Sequence, residues 1–348
     1  MNKLMTETNT VLTLLMCFIC SIGFAKSDEI SNDLNNNYKY SKKRTIDANY
    51  DIDNDYALKL TGKYSDYNIV NWDENRISIH VEIIVKSNKE SVLDDVLSRI
   101  DVTFSDIKKS KETKKVEATT QIDNLQLNNT SISIDYYIMI PNGMNIIVDN
   151  IYGDVVIQSA KDINIKLKYG DADIDEADYI NAEIMYSDIA IKNVNKLKAE
   201  VRYSELDCSY AKTANIEVMY TDTYFKKIDD MKVNNLYGDI EIDNLTNKID
   251  CTLKYSDLEI ENINKDFTQI NIDTMYSDVA IVLTQEHYFN YNISSSYGDI
   301  LCKMLKDNAN KYIKLYHKET IIGNINDNDK LHNINIEAMY GDIEIDFE

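Results

Sequence analysis

A single proline and nine glycines in 348 residues leave the chain short of its usual turn formers, so its corners must be made by Asn, Asp and Ser. Four arginines, Arg44, Arg76, Arg99 and Arg202, almost remove the bidentate fork that grips phosphate and carboxylate ligands. Positive charge is scarce overall: 37 Lys and Arg stand against 59 Asp and Glu, a net charge of −22. That balance excludes nucleic acid as a partner, because a phosphate-binding surface needs clustered cations to release counterions, and it disfavours anionic membranes on the same ground. Long apolar runs are missing too. The run from Val11 to Ile22 is shorter than the roughly 18 residues of a spanning helix, and no later segment reaches bilayer length. What is present is an apolar fraction of 44%, enough for a buried core and incompatible with disorder throughout.

The first residues have the layout of an export signal, with Lys3 in a polar start, the apolar run, and Gly23-Phe24-Ala25 as small residues at a cleavage site after Ala25. An uncleaved anchor is opposed by the length of the run. Lipidation at Cys17 or Cys20 is opposed by the bulky Met16 and Ile19 before them. Cleavage leaves Cys208, Cys251 and Cys302, an odd number that excludes a complete disulfide framework.

Self-similarity decides the fold. Turns of the form Tyr-(Gly/Ser/Thr)-(Asp/Glu) begin at Tyr152, Tyr169, Tyr186, Tyr203, Tyr220 and Tyr237, always 17 residues apart. The spacing loosens to 18 at Tyr255 and 21 at Tyr276 and Tyr297, passes a degenerate Ile322-Gly323-Asn324-Ile325 turn, and ends at Tyr340, with an isolated copy upstream at Tyr64-Ser65-Asp66. Five places after the Tyr stand Ile157, Ile174, Ile191, Cys208, Phe225, Ile242, Ile260, Ile281, Cys302 and Ile345. Three places after stand mostly Val155, Ile189, Leu206, Ile240, Leu258, Val279, Ile300 and Ile343, and four places before are Val148, Ile165, Ala182, Ala199, Ile216, Val233, Cys251, Ile272, Ile293 and Ile336. Apolar and polar residues alternate on both flanks, but the phase changes across the Tyr, so the motif is a corner between half-buried strands. A unit this short cannot bury its own inner face; stacking successive units does so. The pattern predicts an all-β protein, a β-solenoid (parallel β-helix-like) of coils of about 17 residues. The expected division is a signal peptide over 1–25, a disordered leader over 26–45, a small α+β cap over 46–145, and the solenoid over 146–348.

Within the cap, Arg76 to Lys86 alternates as a strand, and Lys89 to Arg99 places Val92, Leu93, Val96 and Leu97 on one helical face behind Asn88. Strands follow near Val102 to Phe104 and Ser131 to Ile140, and the lysines between Ser105 and Val116 read as a solvated hairpin. The order Lys63-Tyr64-Ser65-Asp66, Asn71-Trp72-Asp73-Glu74-Asn75, Ile100-Asp101-Val102, Met139-Ile140-Pro141-Asn142-Gly143 and then serial Tyr-Gly-Asp turns resembles the bacterial "putative adhesin" family of β-strand repeat proteins. That family is a domain of unknown function in exported proteins of Bacteroidota-type organisms, and the likeness covers residues 45 to 348. It implies the repeat fold and an adhesive role, and brings no ligand or catalytic residue with it. The chain departs from the family pattern by placing Ser or Thr for Gly in several turns.

Stacking aligns an acidic column, Asp154, Asp171, Asp188, Glu205, Asp222, Asp239, Asp257, Asp278, Asp299 and Asp342. Like charges one ladder step apart repel, and Ca²⁺ relieves such repulsion through oxygen ligands, which makes Asp154, Asp171, Asp188, Asp239, Asp257, Asp278, Asp299 and Asp342 the metal candidates. The plainer alternative has each Asp bonded to its own turn. The Tyr column fits half-buried ring stacking, with a sugar-binding strip as the rival. The three cysteines occupy core columns, and His80, His287, His317 and His332 share no ligand spacing and read as surface residues. No activated nucleophile is recognisable. Polysaccharide-cleaving β-helices are the enzymatic rival, opposed by Arg202 being the repeat region's only arginine. The sequence therefore predicts a periplasmic, outer-surface or extracellular non-enzyme without cofactor. Its expected role is an adhesin or envelope binding module for a glycan or a cell-surface protein, with an envelope-stress or signalling accessory as second reading and a glycan enzyme as third. The final strand, Tyr340 to Glu348, is expected to leave an acidic sheet edge open.

Overall fold

In the coil that begins at Tyr169, the inward residues are Ala172 and Ile174, then Ala177, then Ile180, Ala182 and Ile184, all 3% exposed or less. Alternation explains each group, but the groups are separated by steps of three, so the chain bends twice more beyond the Tyr corner. The inward residue between those bends is small in some coils, Ala160, Ala177 and Ala211, and larger in others, Val194, Ile228, Leu245 and Ile263. The next coil repeats the path in parallel register, Ala172 facing Ile189, Ile174 facing Ile191 and Ala182 facing Ala199. Each inward Ile, Leu or Val, buried against the coils above and below, contributes about 1.5–3 kcal/mol that a lone coil cannot realise. All three columns expected to be core are buried along their length.

The structure, a computed structural model, describes residues 38–53, 56–108, 114–123, 129–326 and 332–348. The expected signal peptide and the leader up to residue 37 lie outside the described residues. The body Tyr40–Glu348 is one unit. Tyr40 to Thr45, assigned above to the leader, belong instead to the strand Tyr40–Asp51, which pairs antiparallel with Arg76–Ser87. Their charged side chains misled the reading: Lys43 reaches Glu82 at 2.5 Å, and Arg44 caps the Leu97 and Ile100 carbonyls. The predicted helix is present as a 3-10 turn, Glu90–Val92, running into an α-helix, Leu93–Ser98, that buries Leu93, Val96 and Leu97. The residue at the N-cap position is Lys89 instead of the expected Asn88. The expected hairpin is Ile100–Ile107 against Lys114–Ile122.

Rungs do not follow chain order. Tyr64 is the corner of the first rung, because Tyr56–Lys63 and Ser65–Trp72 lie parallel to Asn145–Ile151 and Val155–Lys168, with Leu58 facing Ile146 and Ile69 facing Ile157. At the other end the last coil is inserted between the two before it. Asn333–Met339 lies between Gln269–Met275 and Phe289–Ser296, and Ile343–Phe347 between Val279–Leu283 and Ile300–Leu301. The final strand is therefore an interior one, which overturns its expected place at an open edge. Ile322 to Ile325 form no corner either; they sit in Lys318–Ile325, antiparallel to Phe289–Ser296, and the outermost strand is Ala309–Leu315.

Candidate functional site

Every repeat Tyr has positive φ, between 51° and 63°. A left-handed residue costs roughly 1–2 kcal/mol for a side chain other than Gly, so the corner must regain it. The gain is visible in the backbone. The Tyr152 N–H donates to Lys168 O at 2.8 Å, and three residues after that Tyr the Val155 N–H donates to Asp171 O at 2.8 Å. The left-handed step keeps N–H and C=O aligned along the stack through the bend. It also throws the ring outward, where eleven tyrosines stack in the order 64, 152, 169, 186, 203, 220, 237, 255, 276, 340, 297. Centroids are 4.7 to 5.2 Å apart and planes within 15°. His317 closes the column on Tyr297 at 4.8 Å. The rings are 36% to 56% exposed, yet their faces are taken by one another. Ring edges and hydroxyls face solvent, which removes the open aromatic face a stacked sugar needs.

The residue after each Tyr turns inward and solves the corner in two ways. Ser187 donates its hydroxyl to Met185 O at 3.1 Å and accepts Gly170 N–H at 3.1 Å; Ser204 and Ser277 repeat the arrangement, and Ser256 its donating half. At three of the Gly corners another side chain caps the exposed carbonyl: Asn150 Nδ2 donates to Gly153 O at 3.0 Å, Asn235 Nδ2 to Gly238 O at 2.6 Å and Ser295 Oγ to Gly341 O at 3.1 Å. Ser and Thr are thus compatible with the corner because the positive φ belongs to the Tyr before them.

The acidic column lines up as expected but bonds to the next rung, not to its own turn. Asp66 Oδ1 accepts Asp154 N–H at 2.9 Å, Asp154 accepts Asp171 N–H at 2.9 Å, and the ladder runs on through Asp188 to Glu205. It resumes from Asp222 through Asp239, Asp257, Asp278 and Asp342 to Asp299, with distances of 2.7 to 3.0 Å. Charge-assisted bonds of this kind offset the repulsion between neighbouring carboxylates. Repulsion persists where the ladder falters: Asp188 is the main cause pushing the Glu205 carboxyl above its ordinary range. The eight calcium candidates therefore stand one per rung, each with Oδ1 facing an amide or at the end of the ladder. Among the described residues no group of three or more His, Cys, Asp or Glu is placed to hold a metal ion.

These bonds make a direct prediction. Asp239→Ala, losing the acceptor for Asp257 N–H, lowers unfolding stability by about 1 kcal/mol. Asp239→Asn keeps the acceptor, removes one charge from the column, and stays within about 0.5 kcal/mol of the parent. Urea unfolding of both variants checks this, and equal losses would show that the acceptor contributes nothing.

Beside the rings, one residue earlier in each coil, runs a half-exposed column that includes Lys63, Ile151, Lys168, Met185, Arg202, Met219, Leu236, Lys254, Met275 and Met339. Lys63, Lys168 and Lys254 place Nζ 5.2, 5.6 and 5.4 Å from the ring that follows each. The next outward column is mainly acidic, Asp149, Glu183, Glu200 and Glu217, with Lys166 paired to Glu183 at 2.7 Å. Between the two columns lie open grooves, one lined by Ile151, Lys168, Met185 and Arg202 with Asp149, Lys166, Glu183 and Glu200, another by Arg202, Met219, Leu236 and Lys254 with Glu200 and Glu217. Sequence reasoning missed this column because it kept no single residue type.

The other candidates are structural. Cys208, Cys251 and Cys302 are buried free thiols; burial pushes Cys208 up to about 12 and raises the others, so none is a nucleophile at neutral pH. Two histidines contradict the surface assignment. His287 is 1% exposed and bonded to Thr284 and the Ile263 carbonyl, and His332 is buried against the Phe267 carbonyl. Both fill the space left where a coil lengthens, satisfying carbonyls that the regular ladder cannot reach. His80 lies between Asp47 at 2.6 Å and Glu82 at 3.3 Å.

No curated protein matches the chain. Among solved structures, a "putative cell adhesion protein" from Clostridium sporogenes is similar over 88% of this chain and 100% of its own at 12% identity and a TM-score of 0.19. A "putative adhesin" from Parabacteroides distasonis covers 68% of this chain and 94% of its own at 7% identity and 0.40, and one from Bacteroides fragilis 87% and 97% at 11% and 0.34. The family model described as Toastrack DUF4097 matches residues 25–346, and the chain belongs to that family.

Proposed function

We propose that this protein is a non-enzymatic, adhesin-type binding rod of the cell envelope, exported by residues 1–25, whose contact surface is the flank carrying the tyrosine edges and the Met/Lys column. One observation carries the reading: the flank presents a tyrosine ring edge at every rung, about 4.8 Å apart, beside a column whose side chains vary among thioether, aliphatic and cationic from rung to rung. Its grooves are shallow and open, and no activated nucleophile stands beside them. A surface of this kind suits an extended partner, a glycan chain or a strand-like protein segment, met through many weak and similar contacts. Calcium at the outward oxygens of the eight aspartates belongs to the same proposal and is read from thermal unfolding in millimolar Ca²⁺, where an unchanged midpoint removes it.

Glycan-array and cell-adhesion assays test the function, comparing the parent with a Met219→Glu/Met275→Glu double variant. The parent binds, and the variant, which adds charge to the flank without touching the core, loses roughly tenfold in affinity. Absence of parent binding to every glycan and cell overturns adhesion, and turnover of any polysaccharide overturns the non-enzymatic assignment.

A further inference from the structure

The end of the rod beyond Tyr297 differs from the rest in charge and in exposed apolar surface. Residues 303–318 hold five lysines and one aspartate, a local charge of +4 in a chain of net −22. Lys311, Lys314 and Lys318 lie on the hairpin of Ala309–Leu315 and Lys318–Ile325 past the last rung, and Lys303 and Lys306 on the short helix Lys303–Asp307 before it. One acid offsets part of this: Glu319, itself 1% exposed, takes Lys306 at 2.6 Å and Lys314 at 3.4 Å, and Lys314 also meets Asp299 at 3.0 Å. No ion pair among the described residues reaches Lys303, Lys311 or Lys318. Among these lysines stand Tyr312 (49% exposed), Ile313 (42%), Leu315 (61%) and Tyr316 (91%). No other part of the described surface puts large apolar side chains so far into solvent.

We infer that this tip docks on the surface of an anionic phospholipid bilayer, the hairpin turn entering the headgroup layer and the lysines meeting lipid phosphates. Aliphatic and tyrosine side chains flanked by lysine match the chemistry of that layer, which is apolar below and anionic above. The overall negative charge does not oppose it. At physiological ionic strength charges are screened over about 8 Å, fewer than two rung spacings, so most of the acidic column lies beyond reach of the surface. The proposal departs from the expectation, drawn from net charge, that anionic membranes are disfavoured. Pairing of the outer strand with another chain is the competing use of an open edge. It leaves the feature unexplained, because Tyr316 lies in the turn, past the last paired residues Leu315 and Lys318, where an added strand does not cover it.

The proposal concerns a surface separate from the adhesive flank and is tested separately. The chain as recovered after export is floated with phosphatidylcholine vesicles, with and without phosphatidylglycerol. Binding is expected to the mixed vesicles, weakened by salt. Leu315→Ser/Tyr316→Ser and Lys311→Glu/Lys318→Glu alter exposed side chains; each is expected to lose roughly tenfold or more in vesicle partitioning with an unchanged unfolding midpoint. The Met219→Glu/Met275→Glu flank variant is expected to bind vesicles like the parent. Failure to bind mixed vesicles, equal binding to neutral ones, or tip variants that bind like the parent each overturn the proposal. Self-association without vesicles that the tip variants abolish assigns the edge to a second copy and overturns it as well.

Discussion

Replacing Phe225 with alanine is expected to lower stability by about 3–5 kcal/mol, the range for removing a fully buried aromatic. Phe225 is 0% exposed and occupies the column otherwise filled by Ile or Cys, facing Ile242 in the next coil. The hole cannot close by sliding the rungs together, because backbone bonds such as Lys226 N–H to Cys208 O at 3.0 Å fix their separation. A stack in which each coil touches only its neighbours also confines the damage. Hydrogen exchange is therefore expected to accelerate in the coils from Cys208 to Ile242 more than near Ile157 or Ile345, and unfolding in urea to lose cooperativity. A loss below about 1 kcal/mol, spread evenly over the chain, would mean that Phe225 does not share a core with its neighbours.

The core was legible because the coil repeats a side-chain pattern whose consequence is local. A period-two alternation that changes phase at a fixed point requires a strand, a corner and a strand, and 17-residue spacing requires these to stack. The two further bends were hidden because the inward residue between them changes size from coil to coil, Ala160, Ala177 and Ala211 against Val194, Ile228 and Leu245, and so marks no single repeat position. Rung order was not legible at all. Whether Ile336 faces Ile272, Ile293 or open water depends on pairings between distant segments, and the same β-branched residue suits each. That is why the final strand read as an edge although it lies between two others, and why Ile322 to Ile325 passed for a corner. In the candidate site, the alignment of Tyr and Asp followed from the spacing. The partner of each carboxylate did not, since an Asp at a turn accepts from its own backbone or from a neighbour with equal chemical sense. Nor did the left-handed Tyr, because the residues that ordinarily mark that conformation are Gly, Asn and Asp.

That conformation makes Gly238 the corner least able to change, and Gly238→Ala is expected to cost about 2–4 kcal/mol. Gly238 follows the left-handed Tyr237 and itself has φ of +132°, a region that side-chain-bearing residues rarely enter. A methyl group there would fall on the Thr221 carbonyl oxygen and lie 2.7 and 2.9 Å from the Thr221 carbon and nitrogen, all backbone atoms of the rung below. No rotamer relieves that contact; relief requires the two rungs to part, which breaks bonds such as Thr221 N–H to Tyr237 O at 3.1 Å. Serine is expected to fare no better, although Ser256 occupies the corner above it. Ser256 reaches Lys254 O at 3.1 Å from a backbone without positive φ. At Gly238 the bond is a different one: Asn235 holds the glycine's own carbonyl. Urea midpoints of Gly238→Ala and Gly238→Ser decide the matter. If both fall by 2 kcal/mol or more, the corner is rigid and its backbone fixed by the rung beneath. If serine stays within about 0.5 kcal/mol of glycine, the corner relaxes into the geometry of its neighbours, and the two corner types are interchangeable along the rod.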